Sequence, residues 1–144
     1  MKVTEILHGK GGDVITIWPG ASLTSAVDRM TKRNVGALVV VDDDGKVLGL
    51  VSERDVVHAL AAAPGQALTD EVVDVMSRRL VTCGPDDRLA DLMAVMTEHR
   101  VRHLPVIDHG RLVGLVSIGD LVKARLAELE FESSVLRDAY LRVR

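Results

Sequence analysis

Two short runs put a hydroxyl and a carboxylate three residues apart, each at the point where an apolar stretch gives way to a helical pattern: Ser52-x-x-Asp55 and Ser117-x-x-Asp120. A serine oxygen in that place accepts from a free amide of the first helical turn, and the aspartate favours the positive end of the helix. Read alone, each run is a helix cap. The same geometry is also an anion site, because free amides at a helix start attract phosphate and the carboxylate accepts bonds from paired sugar hydroxyls. Cations stand near by in sequence or pattern: Arg54 inside the first run, and Arg102 with His103 at the start of a strand pattern. A guanidinium holds phosphate through two parallel bonds, and an imidazole adds a further donor. The competing reading of any single arginine is a solvated surface residue.

Other chemistry is poorly supported. Gly9-Lys10-Gly11-Gly12 has the composition of a phosphate loop but neither the spacing nor the strand-to-helix setting of one, so a flexible connector is expected. His99, His103 and His109 crowd one stretch without cysteine or paired carboxylates at metal-ligand spacing. His8 and His58 are isolated, and Met30, Met76, Met93 and Met96 sit at core spacing. The lone cysteine, Cys83, follows a strand pattern in apolar surroundings and is expected to be a buried, inert thiol. No Ser/His/Asp or Cys/His constellation can be assembled, so no catalytic residue is assigned.

Composition narrows the class further. The 144 residues are 47% hydrophobic and 27% charged, which fits a globular chain. A net charge of -3 argues against a nucleic acid held by general electrostatics. One Trp, one Tyr and one Phe leave no stacking platform for single strands. The apolar runs, such as residues 36–41, are far too short to cross a bilayer. With a single cysteine and no leader pattern, a cytoplasmic location is expected.

What must position these groups is a duplicated unit. Displaced by 66 positions, Thr16, Pro19, Leu23, Met30, Val35, Leu38 and Val40 fall on Thr82, Pro85, Leu89, Met96, Val101, Leu104 and Val106. One residue fewer at the 42–45 turn moves the offset to 65, and Gly45, Gly49, Val51, Ser52 and Asp55 then meet Gly110, Gly114, Val116, Ser117 and Asp120. Each copy reads as β-α-β-β-α. Short strands are expected at 14–17 and 80–83, then helices with apolar points at Leu23, Ala26, Val27 and Met30 and at Leu89, Leu92, Met93 and Met96. Ser22 and the Asp86-Asp87 pair are the expected caps of those helices. Hairpins follow at 37–41/47–51 and 104–107/112–116, each with an Asp and Gly in the turn. Residues 69–76 read as a connecting helix whose counterpart is 3–7, and 121–143 as one long helix that overruns the repeat. The basic residues do not repeat: the counterparts of Arg54, Arg102 and His103 are Gly119, Gly36 and Ala37. One strong anion-binding crevice is therefore expected rather than two equal ones.

The tandem order, with Gly49-Leu50-Val51-Ser52-Glu53-Arg54-Asp55 and Gly114-Leu115-Val116-Ser117-Ile118-Gly119-Asp120 closing the hairpins, resembles the CBS-domain pair, or Bateman module. Arg102-His103-Leu104-Pro105-Val106-Ile107-Asp108 and the openings Ile15-Thr16-Ile17-Trp18-Pro19 and Val81-Thr82-Cys83-Gly84-Pro85 carry the likeness further. The resemblance implies an α/β (α+β) fold of two repeats, 1–65 and 66–125, packed through their sheets about a pseudo-twofold axis, with 126–144 a helical extension. It implies a non-catalytic sensor that binds AMP, ADP, ATP or NAD(H), less often S-adenosylmethionine, between the repeats. It also implies a homodimer formed through the repeats and a regulated partner protein. Ser52, Asp55, Ser117 and Asp120 would then meet ribose and phosphate; Arg54, Arg102 and His103 would meet phosphate. Thr16, Ile17, Ala37, Thr82, Cys83 and Leu104 are base-side candidates by position, with plain strand core as the alternative. The alternative for the whole chain is a structural interaction module with vestigial clefts.

Overall fold

The computed structural model describes residues 1–10 and 14–143, so Gly11 and Gly12 of the glycine-rich run lie outside it. The first sheet has three strands: β1 (Thr16–Ile17) runs parallel to β2 (Ala37–Val41), which pairs antiparallel with β3 (Val47–Ser52). The second sheet is the hairpin of β4 (His103–Asp108) and β5 (Arg111–Ser117). Both hairpins shift register at the same place, between Val40 and Val41 and between Val106 and Ile107, a bulge kept through the duplication. The stretch 80–83 does not become a strand. Gly84 and Pro85 end it at once, and Cys83 alone reaches the ladder, donating to the Pro105 carbonyl at 3.0 Å and accepting from Ile107 N at 2.8 Å.

Helices α2 (Leu23–Arg33) and α5 (Leu89–His99) each follow the first extended segment of their repeat. Ser22 caps α2, its oxygen accepting from Ser25 N at 3.1 Å. The Asp86-Asp87 pair does not cap α5: Asp87 turns back to accept from Gly84 N at 2.7 Å, and the residue in the cap position is Arg88. The first amide of α5 instead donates to the Met1 carbonyl at 2.9 Å, as that of α2 donates to Asp70 at 2.9 Å. A backbone acceptor brought in from a remote segment replaces the side-chain cap.

That remote segment is exchanged between the halves. α1 (Val3–Lys10) packs Val3 and Ile6 into the core of the second repeat, with Leu89, Leu92, Leu104, Val106 and Leu121. Residues 67–76 supply Ala67, Val72 and Met76 to the first core, with Ile17, Leu23, Leu38, Val40 and Val51. This connector is a 3-10 turn (Ala67–Thr69) and a single turn, α4 (Val72–Val75), not the continuous helix expected. Asp70 and Glu71 are extended, and Glu71 bridges to Ser22; tertiary pairing overrides helix propensity there. The two glycines that open the closing motifs mark these contacts. A Cβ at Gly49 would lie 2.5 Å from the Ser77 carbonyl and 2.9 Å from Met76 Sδ, and one at Gly114 would lie 2.6 Å from Leu7. The chain is thus a mixed α and β protein of two repeats about a pseudo-twofold axis, and neither repeat completes its core from its own sequence.

α3 (Glu53–Ala62) leaves the end of β3, and α6 (Ile118–Val143) leaves the end of β5. α6 is 26 residues long and buries only Leu121 and Ala124 against the body. No described helix is long and apolar enough to cross a membrane.

Candidate functional site

Each serine–aspartate run is a cap in fact. Asp55 Oδ2 accepts from Ser52 N at 2.8 Å and from Ser52 Oγ at 3.0 Å, and Asp55 N donates to Ser52 Oγ at 3.4 Å. In the second repeat Asp120 Oδ2 accepts from Ser117 N at 2.9 Å, and Asp120 N donates to Ser117 Oγ at 3.1 Å. Each junction is tied to the start of the preceding strand, Glu53 N donating to the Gly36 carbonyl at 3.1 Å and Ile118 N to that of Arg102 at 2.9 Å. These bonds fix where the basic residues stand. His103 begins β4, Arg102 immediately precedes it, and both line one cleft with the first junction.

The result is a cleft of about 610 Å³ between the repeats, a size suited to a nucleotide. Ser52, Glu53, Arg54 and Asp55 form one wall, Arg102 and His103 the other, and Ala37, Leu50, Val81 and Val101 a small apolar floor. Arg79, Arg100 and His58 also line it. Four guanidiniums against the two carboxylates Glu53 and Asp55 leave an excess of two positive charges with the imidazoles neutral. His103 is half-buried; burial foremost, then Lys10, holds its imidazole below the ordinary value of 6.5, against the opposing pull of Asp120 and Glu53. Gly36 makes room here: a Cβ would stand 3.3 Å from Glu53 Oε1 and 3.8 Å from His103 Nε2.

The corresponding junction of the second repeat differs. It carries Ile118 and Gly119 in place of Glu53 and Arg54, and Lys10 of α1 spans it, with Nζ 2.8 Å from both Asp120 Oδ2 and the Leu115 carbonyl. Burial would raise the Asp120 carboxyl, but the bonds from Lys10 and Ser117 outweigh it and hold it below the ordinary carboxylate range. Lys10 stands 69 residues before Arg79, the same interval that relates Val3 to Val72 and Leu7 to Met76. The two cations are therefore counterparts. The Arg79 guanidinium lies 3.2 Å from His99 Nδ1, and the bonds of Asp55 are those of its own cap.

Of the sequence-derived candidates, Ser52, Arg54, Asp55, Ala37, Arg102 and His103 meet in the one cleft. Ser117 and Asp120 lie outside it, at the second junction. Thr16, Ile17, Thr82, Cys83 and Leu104 do not line the cleft: the Thr16 carbonyl accepts from Arg29, Ile17 and Leu104 are core, Thr82 is exposed, and Cys83 is buried. Burial, then the Asp87 charge, pushes the Cys83 thiol up to about 12, so it is no nucleophile near neutrality. Among the described residues no group of His, Cys, Asp or Glu is placed to hold a metal ion.

Sequence reading missed Arg79 and Arg100. Arg100 caps α5 in the left-handed region (φ 54), where its counterpart in the first repeat is Asn34 (φ 53). Asparagine tolerates that conformation and arginine does not favour it, so an arginine at a cap that its own duplicate fills with asparagine was the available signal.

Comparison with known proteins agrees with this geometry. The profile of the CBS domain matches residues 4–62 and again 72–127. The chain belongs to the CBS domain family, as a tandem pair. It superposes on the CBS-domain protein ATU1752 from Agrobacterium tumefaciens with a TM-score of 0.83 and 42% identity, over 86% of this chain and 92% of that one. It is 36% identical over 126 residues to the mitochondrial CBS domain-containing protein CBSX3 of Arabidopsis thaliana, covering 83% of this chain and spanning 61% of that relative's length. The CBS domain pair of protein MJ0100, solved with 5'-methylthioadenosine and S-adenosyl-L-methionine, is matched with a TM-score of 0.78 and 26% identity, over 89% of this chain and 98% of that one.

Proposed function

We propose that the cleft between the repeats binds an adenine nucleotide bearing two or more phosphates, and that the chain is a non-catalytic sensor of that nucleotide. The observation that carries this is the convergence of Arg54, Arg79, Arg100 and Arg102 on one cleft. A monophosphate needs fewer; a di- or triphosphate offers oxygens enough for all four guanidiniums to bond. Asp55 takes the ribose hydroxyls with the oxygen its cap leaves free, the first amides of α3 add dipole and donors, and the floor of Ala37, Leu50, Val81 and Val101 takes the base. S-adenosylmethionine, itself a cation at sulfur, is disfavoured by the same four charges.

Binding draws together a wall from each repeat. Because an anion is held better when Arg102 approaches the Ser52–Asp55 junction, the nucleotide favours the closed arrangement, and that difference in affinity is what a regulated partner can read.

Titration calorimetry with ATP, ADP, AMP and 5'-methylthioadenosine is the test. One site is expected, with affinity falling in that order and weakening as salt rises. Arg79→Ala with Arg102→Ala should cost at least ~100-fold for ATP, at ~1.5–3 kcal/mol per charge-assisted bond. Equal affinity for the neutral nucleoside and ATP, or indifference to the double substitution, overturns the polyphosphate reading. Absence of binding by all four overturns the sensor reading and leaves an interaction module.

A further inference from the structure

We infer that the free part of α6 is one strand of a parallel, two-stranded coiled coil with a second copy of this chain. Along its solvent-facing side, α6 presents Val122, Leu126, Leu129, Ser133, Leu136 and Tyr140, at alternating intervals of four and three residues. The five apolar members of this seam are between 44% and 71% exposed. The seam lies on another face of the helix from Leu121 and Ala124, which are the residues α6 buries. The alternation of four and three is the period by which two helices supercoil; Phe131, Val135 and Leu141 are also exposed, outside this seam.

The charges beside the seam name the occupant. With Leu126 and Ser133 as a positions, Arg125 and Glu132 are g positions and Glu130 and Arg137 are the following e positions. In a parallel pair in register each g side chain meets the e side chain five residues on across the interface. Arg125 then faces Glu130 of the partner subunit, and Glu132 faces Arg137 of the partner subunit. Both pairs are of opposite charge, and the twofold makes four. The N-terminal amine and Arg125 already hold Glu128 at 3.1 and 2.9 Å, which fixes the base of the helix to the body and leaves the next turns projecting. An antiparallel pair with Leu126 opposite Leu129 would carry residues from Asp138 onward past the start of the partner's α6, where β5 ends. It would leave Tyr140 without a facing helix. The seam spans about 28 Å, and the helix is nucleated on a folded base, so association extends an existing helix instead of forming one.

The test uses the full chain with Ser133→Cys. In the parallel register residue 133 meets itself, so mild oxidation at tens of micromolar should link most of the protein into disulfide dimers, while the parent chain, with Cys83 buried, gives none. Adding Leu129→Glu and Leu136→Glu should abolish the link while leaving the melting curve of the body unchanged, since both leucines are exposed. Sedimentation of the parent should show a dimer or larger. No disulfide dimer from Ser133→Cys, a link unaffected by the two glutamates, or a parent monomeric at that concentration would each overturn the inference; the last would assign the seam to a different protein.

Discussion

The two serine–aspartate junctions of this molecule began as copies and now differ in the charges around them, most sharply in the bond made by a single cation. In the first, the Arg79 guanidinium lies against His99; in the second, its counterpart Lys10 is closed on Asp120 at 2.8 Å. The caps, bulges and glycine contacts stay symmetric, because the fold requires them twice. The charged residues do not, and their asymmetry concentrates cations on one cleft and neutralises the carboxylate of the other. What a duplication preserves is architecture; what it releases is chemistry.

The sharpest way to break this comparison is to remove one carboxylate at a time. Asp55→Asn should weaken ATP binding ~10–30-fold, whereas Asp120→Asn should leave it within about twofold, although each loses about 1 kcal/mol of capping. Calorimetry alongside thermal melts separates the effects, and equal losses of affinity would show the crevices to be equivalent. Arg100→Gly comes next. It relieves a left-handed arginine and should stabilise the empty protein by ~1 kcal/mol while weakening ATP several-fold; a variant that gains stability at no cost in affinity removes Arg100 from the site.

Lys10→Met should then convert one site into two, the second weaker, by freeing Asp120. Its cost in stability should stay within about 1 kcal/mol, since the pair is partly solvated. The carboxyl of Asp120 is depressed, so the pair's contribution is complete above the ordinary carboxylate range and disappears only as pH falls through the lowered value. A stoichiometry that stays at one contradicts the idea of a plugged twin.

The smallest effect is in pH. His103, held below 6.5, is neutral in the empty cleft near neutrality. A phosphate beside it favours the cation, so binding should take up a proton and tighten ~2–3-fold between pH 7.5 and 6. Without ligand the sign reverses: the unfolded chain accepts that proton more readily, and acidification below 6.5 destabilises the empty fold. Binding heats that are independent of the buffer's ionisation enthalpy would remove His103 from the phosphate end.

Much of this was legible in the sequence, for identifiable reasons. The repeat offset, the hairpins and both caps depend on local spacing, and Ser52, Asp55, Arg102 and His103 could be brought together by counting within a duplicated unit. The connector's break at Asp70–Glu71 and the loss of the Asp87 cap could not, because both follow from backbone bonds to remote segments, Ser22 and Met1. Arg79 escaped because its role depends on the 69-residue relation to Lys10, which crosses from one repeat to the other only in three dimensions. Ile17 and Leu104 read equally as wall or core by sequence; packing places them in the core.

The exchange of α1 and α4 between the halves makes the chain a mutual clasp. A fragment ending before residue 67 would expose the surface around Leu23 and Val51 that Val72 and Met76 seal, while its own first helix would have nothing to close on. Such a half could find its missing piece only in another half, by an exchange of terminal helices in solution. The whole chain should accordingly melt in a single step, and an ancestor with one repeat would have been obliged to live in pairs.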